Sequence, residues 1–107
     1  MSAPTAVAAP LFDALGDPNR LRIIVRLCDR GPSSTSQITS VIPVTRQAAS
    51  KHLQLLESAG LVTSTRRGRE RVWTMRTEPL ARASDYLTAL SHRWDAAVDR
   101  LRAYVED

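Results

Sequence analysis

Arg46, Gln47, Ser50, Lys51 and Gln54 fall within one short stretch of the chain, and Arg66, Arg67, Arg69 and Arg71 follow around Gly68. These residue types bind rather than break bonds. A Gln amide offers the paired donor and acceptor that an adenine edge requires, while Arg forks suit guanine edges and phosphate oxygens. Residues 45–76 carry Arg46, Lys51, Arg66, Arg67, Arg69, Arg71 and Arg76 against Glu57 and Glu70, a net of +5 in a chain whose total is +4. The rest of the chain is therefore slightly acidic. A cationic field confined to one region draws a polyanion to one face, where counterion release supplies affinity independent of sequence.

Two elements must hold these side chains. Thr45 is placed to cap a helix running to Gly60, with Ala49, Leu53 and Leu56 on its inner stripe and Gln47, Ser50, Lys51 and Gln54 opposite. Two short strands at 61–65 and 71–75 then flank Gly68, and their alternation turns Trp73 inward. Upstream, Ser34 and Gln37 have the spacing of a capping box, and Ile38, Val41 and Ile42 give a short helix one buried side before Pro43 stops it. Two helices joined across so short a turn follow helix-turn-helix grammar. Before them, Asp17-Pro18 starts a helix that Gly31-Pro32 ends, with Leu21, Ile24, Val25 and Cys28 at helical spacing. Arg22, Arg26 and Arg30 form a solvated stripe on another face of that helix. A further short helix is expected at 11–15, after a flexible lead-in over residues 1–10.

From Pro79 onward the apolar residues form two rows, Leu80, Leu87, Trp94, Leu101 and Ala83, Leu90, Ala97, Tyr104. This heptad seam belongs to a helix of ~40 Å, longer than so small a core can cover, so a second copy is expected to bury it. With 107 residues the chain supports one domain, assigned to 11–107. No apolar run reaches the ~20 residues of a membrane span, and the start Met1-Ser2-Ala3-Pro4 lacks the features of a secretion signal. Cys28 alone forms no intrachain disulfide and no thiolate cluster, which suits a cytoplasmic protein. On an apolar helix face it reads as a buried, inert thiol. Neither a phosphate loop nor a nucleophile with an orienting base is present, so the chain is not read as an enzyme.

Leu15-Gly16-Asp17-Pro18-Asn19-Arg20-Leu21-Arg22-Ile23 and the stretch from Ser50-Lys51-His52-Leu53 through Gly60-Leu61-Val62 resemble motifs of the ArsR family of bacterial winged-helix repressors. Gly68-Arg69 falls where that family carries its wing glycine. The resemblance covers nearly the whole chain. It implies a mainly α, α+β winged helix-turn-helix fold: four helices, two strands and a last long helix. It further implies a homodimer built through the first and last helices, with Leu11, Leu15, Leu80, Ala83, Leu87, Leu90, Trp94, Ala97, Leu101 and Tyr104 at the interface. The implied partner is double-stranded DNA carrying an inverted repeat in a promoter region. Thr45, Arg46, Gln47, Ser50, Lys51, His52 and Gln54 are then assigned to the major groove, and Arg66, Arg67, Arg69 and Arg71 to the backbone or minor groove. His52 serves either as a base contact or as a packed residue, and Glu70 either orients an arginine or is solvated.

Many relatives hold thiophilic metals with a Cys-x-Cys pair on the third helix, at positions that here are Ser34 and Ser36. The His and carboxylate pairs of a second family site reduce to His92, with Asp85-Tyr86-Leu87 where an Asp-x-His would stand. Three or four ligands are needed, so no metal or other cofactor is expected, and no small-molecule effector is assigned. The competing reading is a protein-interaction module that uses the long helix and has only a solvated basic tip.

Overall fold

The computed structural model describes residues 5–106. In chain order these form α1 (Thr5–Leu15), α2 (Pro18–Arg30), β1 (Ser33–Ser34), α3 (Thr35–Thr39), α4 (Arg46–Ser58), β2 (Val62–Arg67), β3 (Glu70–Met75) and α5 (Thr77–Glu106). The antiparallel sheet has the order β1-β3-β2. It is a winged helix-turn-helix: α3 and α4 supply the helix pair and the β2–β3 hairpin the wing.

Local chemistry sets most boundaries. The Asp17 carboxylate accepts from the backbone N–H of Asn19 at 2.8 Å and of Arg20 at 3.1 Å, opening α2 beside the Pro18 ring. Those bonds, the one from Arg20 foremost, hold the Asp17 carboxyl below its usual value of 3.8. Gly31 closes the helix at φ 75°. Ser34 and Gln37 form the complete capping box of α3, and Thr45 Oγ1 accepts from Ala48 N at 3.1 Å to start α4. In the wing, Arg67 pairs with Glu70, so Gly68 and Arg69 make a two-residue turn. Gly68 at φ 60° occupies the first central position, where a type II′ turn demands a positive φ.

Ile23, Ile24, Leu27, Ile38, Leu53, Leu56, Leu61, Val62 and Trp73 close the core between α2, the helix pair and the sheet. Trp73 turns inward as expected, and its Nε1–H donates to Thr35 Oγ1 at 3.0 Å. That bond ties the wing's inner strand to the first residue of α3 and satisfies an indole that burial would otherwise penalise.

Four expectations need correction. The first helix starts at Thr5 rather than residue 11 and runs through Pro10, with Ala8 buried, so the lead-in over 5–10 is helical; residues 1–4 lie outside the described residues. β1 was not anticipated, because two residues that pair with Trp73 and Val72 across a long separation leave no local pattern. The buried face of α2 is Ile23, Ile24 and Leu27, whereas Leu21 and Val25 are about half exposed and share a shallow groove with Val41. Cys28 lies outside that face as well: it is exposed, its Sγ 3.2 Å from Met75 Sδ, not a buried thiol.

The seam of α5 divides in two. Ala83 is buried and Leu80 half-buried within the chain's own body, beside the buried Leu11 and half-buried Leu15 of α1. These four residues pack within one chain's own body, with Leu15 and Leu80 still partly exposed. Phe12 packs on Tyr86 with ring centroids 5.9 Å apart, and Thr5 Oγ1 lies 3.1 Å from Tyr86 Oη, so α1 covers the first turns of α5. Beyond, Leu87, Leu90, Trp94, Ala97, Leu101 and Tyr104 are exposed, Trp94 at 70% and Tyr104 at 82%. The projecting helix stretches the molecule to 67 × 28 × 22 Å. Its radius of gyration is 17.9 Å, against about 13 Å for a compact chain of this length. No helix among the described residues is long and apolar enough to cross a membrane.

Candidate nucleic-acid interface

The polar side of α4 and the wing face one another across a cleft of about 350 Å³. Arg46, Ser50 and Gln54 line it from the helix; Arg66, Arg69, Glu70 and Arg71 line it from the wing. Burying Ala49, Leu53 and Leu56 forces this arrangement, since a helix that hides those three must turn Gln47, Lys51 and Gln54 outward. In the wing the antiparallel register sets Arg66 directly opposite Arg71, so both guanidinium groups leave the same face of the hairpin. Arg67, exposed beside the turn, stands off the cleft.

The candidate residues differ in how free they are. Gln47, Lys51 and Gln54 are exposed, and Ser50 is half-buried at the cleft wall. Thr45 is exposed, but its oxygen already serves as the cap of α4. Arg46 Nη1 donates to Ser36 Oγ at 2.8 Å, Ser36 donates on to Glu70 Oε1 at 2.9 Å, and Arg46 Nη2 stands 4.0 Å from that same carboxylate oxygen. Arg71 Nη1 likewise donates to Ser64 Oγ at 2.8 Å, and Ser64 donates to Glu57 Oε2 at 2.9 Å. Glu70 therefore orients an arginine rather than standing free in solvent. No local signal announces Ser36, Ser64 or Glu57, because each link joins residues from different elements.

His52 is half-buried and does not share the exposed face of Gln47 and Lys51. Its Nδ1 lies 3.4 Å from Arg20 Nη1. Arg20 also donates through Nε to Ala14 O at 2.6 Å and through Nη2 to Asp13 O at 3.4 Å, closing the end of α1. A guanidinium accepts no hydrogen bond, so the ring offers its lone pair at Nδ1. The geometry favours the packed reading of His52 over the base contact.

The positions that would carry a thiolate pair are committed elsewhere: Ser34 caps α3, and Ser36 bridges Arg46 to Glu70. Among the described residues no three His, Cys, Asp or Glu side chains come together as a metal site.

A helix with an outward amide and ammonium face, abutting an arginine-rich hairpin, defines a winged helix-turn-helix DNA-binding protein. The family model for a helix-turn-helix domain matches residues 15–65. The chain is 42% identical over 76 residues to the HTH-type transcriptional regulator YuzN of Bacillus subtilis, an alignment covering 65% of this chain and 83% of that one. Over 57 residues it is 39% identical to the arsenical resistance operon repressor of the same organism, spanning 53% of this chain and about half, 54%, of that relative's length. Among solved structures it resembles an ArsR-like transcriptional regulator from Rhodococcus sp. RHA1, with a TM-score of 0.75 at 32% identity over 92% of both chains. The chain belongs to the ArsR family of helix-turn-helix transcriptional regulators. It is a DNA-binding regulator and not an enzyme.

Proposed function

We propose that this chain is a homodimeric, cytoplasmic repressor that binds an inverted-repeat operator in a promoter region, without a metal cofactor. The observation that carries this reading is the cleft, where reader and clamp stand on one side of the molecule. Gln47, Lys51 and Gln54 contact base edges, Arg66, Arg67 and Arg69 hold backbone, and α1 with the projecting part of α5 joins the two copies. Two-fold symmetry then requires half-sites ~34 Å apart, or a multiple of that.

Surface area supports the second copy. A compact chain of 11.8 kDa exposes about 5,900 Å², whereas this one exposes 7464 Å². The excess is ample for the ~800 Å² per partner of a stable interface. Metal independence rests on the serines that replace the family's thiolate pair, both engaged in other bonds.

Footprinting of the purified protein on the DNA upstream of its own gene, at two salt concentrations, tests this. Protection of an inverted repeat that weakens with salt is the expected result. Uniform weak protection would favour the interaction module instead. Elemental analysis addresses the metal: a stoichiometric transition metal whose removal changes operator affinity would overturn that part.

A further inference from the structure

We infer that Glu57 and Glu70 are internal competitors of DNA phosphate, holding Arg71 and Arg46 through Ser64 and Ser36 so that sequence-independent binding stays weak. This rests on the DNA-binding reading above. One donor chain, guanidinium to hydroxyl to carboxylate, occurs twice: Arg46–Ser36–Glu70 at 2.8 and 2.9 Å, and Arg71–Ser64–Glu57 at 2.8 and 2.9 Å. Both arginines and both carboxylates line the same cleft. In each chain the hydroxyl hydrogen goes to the carboxylate and the oxygen lone pair to the guanidinium, the polarity that a charged donor and a charged acceptor both reinforce.

The segment that carries the positive charge has two carboxylates, Glu57 and Glu70, and both are spent in this way. Glu70 also has its second oxygen, Oε2, buried without a partner among the described residues. A carboxylate so placed keeps unused accepting capacity and full attraction for a neighbouring cation. A phosphate that approaches Arg46 or Arg71 must therefore displace a serine-bridged carboxylate, whereas among the described residues Arg66, Arg67 and Arg69 have no such tether. Random duplex engages the free arginines alone. An operator that seats α4 in its groove supplies contacts enough to exchange the other two, so the carboxylates widen the gap between right and wrong sequences.

The test measures binding of the full chain to a random 30-base-pair duplex across a salt series. Wild type is compared with Ser36→Ala, Ser64→Ala, Glu57→Gln and Glu70→Gln, with Asp29→Asn on exposed α2 as a remote loss of one negative charge. The serine variants decide the matter, since they cut the bridge without changing net charge. Ser64→Ala is the cleaner of the two, because Arg46 keeps its direct 4.0 Å approach to Glu70 when Ser36 is lost. Ser64→Ala should bind random duplex roughly threefold more tightly near 0.1 M salt, with a log–log slope steeper by up to ~0.9 for the arginine released, and Ser36→Ala should shift in the same direction by less. The glutamine variants should exceed Asp29→Asn by the same margin. Serine variants indistinguishable from wild type, or binding more weakly, would overturn the inference; melting curves confirm that every variant is folded. Wild type that fails to hold duplex even at the lowest salt would instead sink the DNA-binding reading itself.

Discussion

At the cleft, Arg46 and Arg71 are each answered from within the chain by a serine and a carboxylate, while in the distal half of α5 no described residue covers Leu90, Trp94, Leu101 or Tyr104. Water solvates an untethered arginine at little cost, so tethers at the cleft set position and availability rather than stability. Exposed apolar surface costs about 25 cal/mol per Å² wherever it stays wet. The far end of α5 thus leaves a wet apolar stripe in one chain, whereas at the cleft two of the arginines already have partners. The polar groups of the cleft are paired within one chain, whereas the apolar seam of α5 is left for the second copy proposed above.

The sharpest way to break that contrast is to charge the seam. Leu90→Glu with Trp94→Glu should raise the dimer dissociation constant at least ~100-fold, as loss of two buried anchors does. Operator affinity should fall with it, since each half-site is then bound alone. Sedimentation velocity identical to wild type at every concentration would show that α5 is no interface. Next in size, Arg67→Ala with Arg69→Ala should lower the salt slope of DNA binding by about two and affinity roughly tenfold, with sedimentation unchanged. A shift in sedimentation instead would mean that the two regions are not separable.

Smaller effects sharpen the picture of the supporting core. Trp73→Phe leaves the Thr35 hydroxyl without its buried partner and should cost about 1–2 kcal/mol in urea unfolding, sparing the dimer. Smallest is Asp17→Asn. The fold lowers this carboxyl's pKa, so its contribution is complete above the ordinary value of 3.8 and is lost as pH falls through the lowered one. The variant should melt below wild type near neutrality and converge with it in acid. Curves that stay parallel as pH drops would remove the charge from the explanation.

What could be read from the sequence was what neighbours in the chain decide. Asp17, Ser34 with Gln37, Thr45 and Gly68 act within three residues of themselves, and each sits where its residue type predicts. The inward face of α4 was legible because its apolar residues fall on one stripe. In α2 they do not: Leu21, Ile23, Ile24, Val25, Leu27 and Cys28 surround much of the helix, and only packing against the helix pair selects Ile23, Ile24 and Leu27. The Ala/Pro-rich stretch read as a flexible lead-in includes Pro10, which the helix absorbs. The polar side of the cleft was legible by composition, but its internal pairing was not. Ser36 meets Glu70 across 34 residues and Arg20 meets His52 across 32, distances over which no periodicity speaks.

Arg20 reaches the carbonyls of Asp13 and Ala14 on one helix and the ring of His52 on another while rooted in a third. One planar group thus joins the end of α1 and the inner flank of α4 to α2. In the dimer proposed above, whatever packs on the end of α1 lies one side chain away from α4, the helix proposed to enter the groove.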